Sequence, residues 1–266
     1  MLAMVNRYRT VWLSDIHLGS RGCRIDLLLE FLDSFECETL YLVGDIVDIE
    51  SMQRRFFWPS SHTEALTRLL RFAHEGTRVV YVPGNHDANL RNLIDVPVGP
   101  VEIRRETIHK TLDGRRFLVL HGDRFDAVLR AGPFARLIGG AGYRVLVGLN
   151  RLNHWINDQM GRPYWSLANV VKSRISSANQ YIERFRAACL KAAAEAGLDG
   201  VVCGHIHRAE VVEKDGLVYC NDGDWVESCS ALLETRDGAI ELCHWAEQRT
   251  AQIGSRQPGT GYREAA

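Results

Sequence analysis

The stretch Val11-Trp12-Leu13-Ser14-Asp15-Ile16-His17-Leu18-Gly19 decides how the chain folds. Its opening run of β-branched and aromatic residues reads as a buried strand, and the polar pair Asp15-x-His17 follows where that strand must end. The same arrangement recurs four times. Leu40-Tyr41-Leu42-Val43 precedes Gly44-Asp45, Val79-Val80-Tyr81-Val82 precedes Gly84-Asn85-His86-Asp87, Phe117-Leu118-Val119-Leu120 precedes His121-Gly122-Asp123, and Val201-Val202-Cys203 precedes Gly204-His205-Ile206-His207. Polar residues just past the carboxyl ends of strands sit where open α/β sheets form their binding crevices, so five motifs far apart in sequence can meet in space.

Between the first three strands the apolar spacing is helical. Leu27, Leu28, Phe31, Leu32 and Phe35 form one stripe, and Leu66, Leu69, Leu70 and Ala73 form another that ends near Gly76. Strand and helix thus alternate to about residue 90, which predicts an α/β fold with a parallel sheet. Farther on come short extended pieces at 101–103 and 107–112, with Asp113-Gly114 turning a hairpin into the fourth strand. A helix over 187–197 precedes the fifth strand. Extended segments then follow at 210–214, 217–220, 230–234 and 240–245, with turns at Asp215-Gly216 and Asp237-Gly238. The polar, Gly- and Pro-containing tail, 249–266, reads as disordered.

The chemistry lies in the motifs. Asp15, His17, Asp45, Asn85, His121, His205 and His207 offer oxygen and nitrogen ligands sufficient for two divalent metal ions. Strand alternation would aim Asp15 and His17 to one side, and likewise His205 and His207. Asp45 is the natural bridging carboxylate. One ion would take Asp15, His17, Asp45 and His207, and the other Asp45, Asn85, His121 and His205. His86, beside Asn85, is free to donate a proton or hydrogen bond to a leaving oxygen. Asp87 would orient His86 or a ligand, and Arg208 would grip a substrate phosphate. Asp48 and Glu50 read equally as groups near a metal-bound water or as helix caps. His62, His74, His109, His154 and His244 read as solvated or capping residues, and Cys203 as core.

Composition narrows the classes. The 266 residues carry a net charge of −1 and 46% hydrophobic residues, enough for a sizeable core. The charge is uneven, because eleven Lys or Arg between Arg124 and Lys191 face only Asp126, Asp158 and Glu183. That segment also holds Phe134, Tyr143, Trp155, Tyr164 and Trp165 among many aliphatics, so 124–186 reads as a basic amphipathic helical insertion. Basic residues so mixed with apolar ones argue against nucleic-acid binding, and no uninterrupted apolar stretch is long enough to span a membrane. Seven cysteines without a C-x-x-C pair, and no signal-like opening, predict a reduced, cytoplasmic protein.

The ordered motifs D-x-H, G-D, G-N-H-D, H-G-D and G-H-x-H resemble those of the calcineurin-like metallophosphoesterases, over residues 11 to about 230. The resemblance implies a four-layer αββα sandwich spanning 1–248 with the 124–186 segment as an insertion, a dinuclear centre with manganese expected and iron or zinc as alternatives, and hydrolysis of phosphoester or diphosphate bonds by water that two metals activate. Within that superfamily, Ser14 to Gly19, the basic insertion and the Asn221-Asp222-Gly223-Asp224-Trp225-Val226-Glu227-Ser228 segment look like the UDP-2,3-diacylglucosamine diphosphatase group of lipid A synthesis. The composition of 124–186 suits an amphiphilic phosphate substrate and peripheral contact with the inner-membrane surface, or else an ordinary helical cap packed over the sandwich. A phosphomonoesterase or phosphodiesterase acting on soluble nucleotides or other phosphates is the alternative, and a non-catalytic scaffold a third reading.

Overall fold

The computed structural model describes residues 6–96, 99–126 and 176–255. The insertion reading falls mostly on 127–175, and His154 with it, outside the described residues.

Strands β1 (Asn6–Leu13), β2 (Phe35–Leu42), β3 (Arg78–Tyr81) and β4 (Val101–Ile103) run parallel in one sheet, with helices α1 (Ile25–Leu32), α2 (Ile49–Arg54) and α3 (Ser60–His74) between them. Strand β10 (Ser230–Glu234) pairs antiparallel with β1 and β11 (Ile240–His244) antiparallel with β10, giving the order β11-β10-β1-β2-β3-β4. The second sheet has the order β5-β6-β7-β9-β8, from β5 (Thr107–Lys110), β6 (Arg116–Val119), β7 (Gly200–Cys203), β8 (Glu210–Lys214) and β9 (Leu217–Asn221). Its central strands β6, β7 and β9 are parallel. Helices α4 (Ser176–Glu195) and α5 (Trp245–Ser255) complete the described elements.

Three apolar clusters account for four layers. Trp12, Tyr41, Val43 and Val80 of the first sheet meet Phe117, Val119, Val202 and Cys220 of the second. Their sequence neighbours Val11, Leu13, Leu40, Leu42 and Val79 point the other way, against Leu27, Leu28 and Phe31 of α1 and Leu69 and Phe72 of α3. Leu118, Leu120, Val201 and Cys203 pack against Phe185, Cys189 and Leu190 of α4. Both faces of each central strand are therefore covered, as their continuous apolar runs require.

The αββα expectation thus holds, with local differences. Phe35 opens β2 rather than closing α1; its ring still joins the cluster under α1 and α3. Leu70 is exposed, and Phe72 takes its place in the buried stripe of α3. The 101–103 segment joins the first sheet, so the hairpin is made by β5 and β6 alone. The helix expected at 187 starts at Ser176. The tail is not irregular from 249: α5 continues to Ser255, docked by buried Ala246 and by the pair of Arg249 Nη2 with Glu30 Oε1 at 2.8 Å. Among the described residues no helix is long and apolar enough to cross a membrane.

One pair bridges the sheets. His109, expected at the surface, is buried and places Nε2 2.9 Å from Glu234 Oε2, while Glu234 also accepts from Thr10 Oγ1 and the Leu112 amide. His62 is also buried, where its Nδ1 accepts from the Gly19 amide at 2.8 Å.

Candidate metal centre

All five motifs arrive at one place. Asp15 and His17 follow β1, Asp45 follows β2, Asn85 and His86 follow β3, His121 follows β6, and His205 and His207 follow β7. Backbone hydrogen bonds lock the loops in register: the Asp15 amide donates to Gly44 O at 3.0 Å, His17 to Asp45 O at 2.9 Å, and Gly204 to His121 O at 3.2 Å. The side chains do not converge by strand alternation, because these residues lie beyond the strand ends. Asp15, His17, Asp45, His205 and His207 all have positive φ, between 51° and 70°. That left-handed geometry is uncommon for non-glycine residues, and it clusters where a surrounding fold holds functional groups in place.

The resulting groups suit cations. One ligand atom from each of Asp15, His17 and His207 lies within 4.8 Å of the others, and the same is true of Asp45, His121 and His205, and of His17, Asp45 and His86. His121 Nε2 is 3.4 Å from Asp45 Oδ2 and 3.3 Å from Asn85 Oδ1. Asp15 Oδ1 and His17 Nε2 are buried without a hydrogen-bond partner, although His207 Nε2 approaches Asp15 Oδ1 to 3.0 Å. Orphaned polar atoms in a buried cluster call for a partner such as a bound cation. A mixed carboxylate, imidazole and amide set of this kind fits first-row divalent metals. The residues thus fit a dinuclear centre, with Asp45 between the two groups.

Glycine makes the approach possible. A Cβ at Gly84 would stand 2.2 Å from Asp45 Oδ1 and 2.7 Å from His121 Nε2, and one at Gly44, whose φ is +83°, would stand 2.4 Å from His121 Nδ1.

Hydrogen bonds fix the rings. Val43 O can only accept, so His121 Nδ1 donates to it at 2.8 Å and Nε2 is left for a metal. Asp48 does the same for two histidines, taking His86 Nδ1 at 2.8 Å on Oδ1 and His17 Nδ1 at 3.3 Å on Oδ2. It also caps α2 by accepting from the Ser51 amide at 2.9 Å, the helix-cap reading of Asp48. Asp87 does not orient His86. Its carboxylate accepts from Gly84 N, Ile46 N and Tyr81 Oη, tying the Asn85 loop to the Asp45 loop. Arg91 bonds both Pro83 O and Asp123 Oδ2, at 3.1 and 2.7 Å, and joins a third loop to these.

The electrostatics follow the geometry. Burial would raise the Asp15 carboxyl, but His207 and His17 outweigh it and hold it well below the usual carboxylate range. The same contest lowers Asp45, through His121 and His17, and Asp48, through His17 and His86. In return, despite burial, the carboxylates raise His17, His121 and His207, the same attraction for positive charge that would hold a cation there. Burial, then repulsion from Asp45, raises Asp87.

Arg208 lies beside His207 with its side chain 41% exposed and Nε 3.6 Å from Glu210. Glu50 pairs with Arg54 on α2, and its Oε2 is 3.9 Å from His86 Nδ1. Sequence reasoning missed three groups. Asp222, buried, accepts from Ser14 Oγ at 2.6 Å; Asp224 has Oδ1 3.9 Å from His207 Nδ1; and Asp126 has Oδ1 2.9 Å from His205 Nε2. Their signals were the closing Asn221-Asp222-Gly223-Asp224 run and the three-residue step from Asp123 to Asp126.

Fold and site together define a metal-dependent phosphoesterase. The profile of the calcineurin-like phosphoesterase family matches residues 8–209, and the chain belongs to that family of dinuclear metal hydrolases. It is 25% identical over 243 residues to the UDP-2,3-diacylglucosamine hydrolase of Porphyromonas gingivalis, covering 83% of this chain and 91% of that one. Among solved structures it is similar to vacuolar protein sorting 29 of Cryptosporidium parvum, at 12% identity and a TM-score of 0.42, over 88% of this chain and 94% of that one. It is also similar to the Yfce phosphoesterase of E. coli, at 15% identity and a TM-score of 0.41, over 88% and 98%.

Proposed function

We propose that the protein hydrolyses the diphosphate bond of a UDP-diacylglucosamine-like nucleotide lipid. The observation that carries this reading is the relative of that activity, matched across nearly its whole length. The basic, aromatic-rich composition of 124–186 supports it, since arginines beside apolar side chains suit an anionic headgroup bearing acyl chains. That segment would act as a cap over the cleft and touch the membrane surface from the cytoplasm.

In this reading Asp15, His17, Asp45 and His207 hold one ion, and Asp45, Asn85, His121 and His205 the other, with manganese the expected metal. Two divalent cations, when bound, supply Lewis acidity to a phosphoryl oxygen and lower the pKa of a water. The chain does the rest. Asp48 fixes the His86 ring with its proton on Nδ1, so that Nε2, 4.0 Å from Asp45 Oδ2, faces the cleft. There the ring, when it carries a second proton on Nε2, donates to charge developing on the phosphoryl group or passes that proton to the leaving oxygen and returns to neutral imidazole. Arg208, at the rim, meets a substrate phosphate.

The test incubates Mn-loaded protein with UDP-2,3-diacylglucosamine in detergent and follows UMP by mass spectrometry, with the Asp45→Ala, His205→Ala double variant as blank. Metal-dependent UMP is the expected result. Cleavage of p-nitrophenyl phosphate or its diester without any UMP would keep the phosphoesterase and overturn the lipid substrate.

A further inference from the structure

His205 is held differently from His17 and His121. His17 and His121 donate through Nδ1, to Asp48 and Val43 O, and so keep Nε2 for a metal. In His205 it is Nε2 that is engaged, 2.9 Å from Asp126 Oδ1. A carboxylate only accepts, so Nε2 carries the proton and the free lone pair is on Nδ1. Asp126 is itself held, because Tyr181 Oη donates to the same Oδ1 at 3.0 Å. One turn further along α4, Phe185 stacks near the His205 ring, with centroids 5.9 Å apart and planes tilted by 34°. The His121 ring closes the remaining side edge-on, at 5.0 Å. The His205 side chain is only 11% exposed.

Asp126 directly follows the turn at 123–125, whereas Tyr181 lies within α4. Asp126 meets the His205 ring, and Tyr181 meets Asp126.

We infer that Asp126, backed by Tyr181, is a positioning residue that sets His205 as an Nδ1 ligand, and that this clasp tunes occupancy of the Asp45, Asn85, His121 and His205 ion. The inference rests on the reading of His205 as a ligand. Removing the carboxylate frees the ring to rotate and to take the other tautomer, and loss of such a partner lowers metal affinity by roughly 10- to 100-fold. The other ion, held by Asp15, His17, Asp45 and His207, should be retained.

The experiment measures manganese per chain, after dialysis against graded free Mn, for the wild-type protein and for Asp126→Ala, Tyr181→Phe and His205→Ala. Circular dichroism and thermal unfolding establish that each variant is folded. Asp126→Ala should hold one ion with wild-type affinity and the second roughly 10- to 100-fold more weakly, with loss of the spin-coupled Mn pair spectrum at limiting metal. Tyr181→Phe should shift the second ion in the same direction by a smaller factor. Long-range 1H–15N spectra of the metal-free protein, with His205 assigned by its variant, should show the proton on Nε2 in wild type and a tautomer mixture in Asp126→Ala. If Asp126→Ala does not fold, the tautomer in wild type and the Tyr181→Phe shift decide the matter. Loss of one ion in His205→Ala with both retained at full affinity in Asp126→Ala would overturn the clasp alone. Retention of both in His205→Ala would overturn the ligand reading and the clasp with it.

Discussion

Asp48→Asn tests the organisation of the centre most directly. The carboxylate takes three donors: His86 Nδ1 at 2.8 Å and Ser51 N at 2.9 Å on Oδ1, and His17 Nδ1 at 3.3 Å on Oδ2. An amide of the same shape offers one oxygen and one NH2. If its oxygen stays with His86 and Ser51, its NH2 faces His17; if it turns, its NH2 faces His86. One imidazole must then present the wrong tautomer. A misplaced general acid forfeits about 10²-fold or more in rate, roughly 2.7 kcal/mol of transition-state stabilisation at 1.36 kcal/mol per tenfold. The assay is a double-mutant cycle on kcat for a p-nitrophenyl phosphodiester with saturating Mn, pairing Asp48→Asn with His86→Ala. Both act through the same proton, so Asp48→Asn should cost about 10²-fold alone and only a few-fold in the His86→Ala background, where its remaining effect runs through His17. Equal losses in the two backgrounds would refute the idea that Asp48 works by aiming His86, and an unchanged kcat would refute any role in the centre.

Other outcomes follow from the same contacts. Gly84→Ala should fold but lose metal and activity together, since the new methyl would stand 2.2 Å from Asp45 Oδ1; calorimetric titration with Mn checks it. Chelation followed by dialysis should abolish hydrolysis and added Mn should restore it, which a colorimetric phosphodiester assay reads. Glu234→Ala strands His109, Thr10 and the Leu112 amide between the sheets and should destabilise the fold by about 3–5 kcal/mol in urea denaturation. Burial alone would raise the Glu234 carboxyl, but His109, the Leu112 amide and Thr10 lower it below its ordinary value. Its contribution is therefore full above the unfolded carboxyl's pKa of about 4.3 and is lost as pH falls through the lower folded value. The stability advantage of wild type over Glu234→Gln should be constant from neutral pH to about 6 and shrink below about 4.5; an advantage that grows on acidification would contradict it.

The strands and the gathering of the candidate ligands could be read because each candidate follows a strand of unmistakable composition. Asp15, Asp45, Asn85, His121, His205 and His207 all lie within four residues of a strand end. What could not be read was how they converge, since alternation stops where the strand stops and the left-handed turns take over. Partners from other loops were also hidden: nothing local to Asp126 announces His205, and Asp87 looked like the partner of His86 until Asp48 proved to hold it. The buried pair of His109 and Glu234 joins residues 125 positions apart, a complementarity that no period along the chain displays. The polar composition of α5 concealed a helix because its anchor is a few contacts, Ala246 and Arg249 against α1, rather than a continuous apolar face.

The five left-handed ligands carry an evolutionary consequence. Each non-glycine residue held there costs on the order of 1–3 kcal/mol, and glycine at any of these positions would relieve it while removing a donor atom. Selection for thermal robustness alone would therefore push Asp15, His17, Asp45, His205 and His207 toward glycine, and a sturdier but inert descendant lies a single codon change away at the aspartates. A chain that sets five such side chains on such a backbone bears the mark of selection for what it does rather than for how firmly it stands.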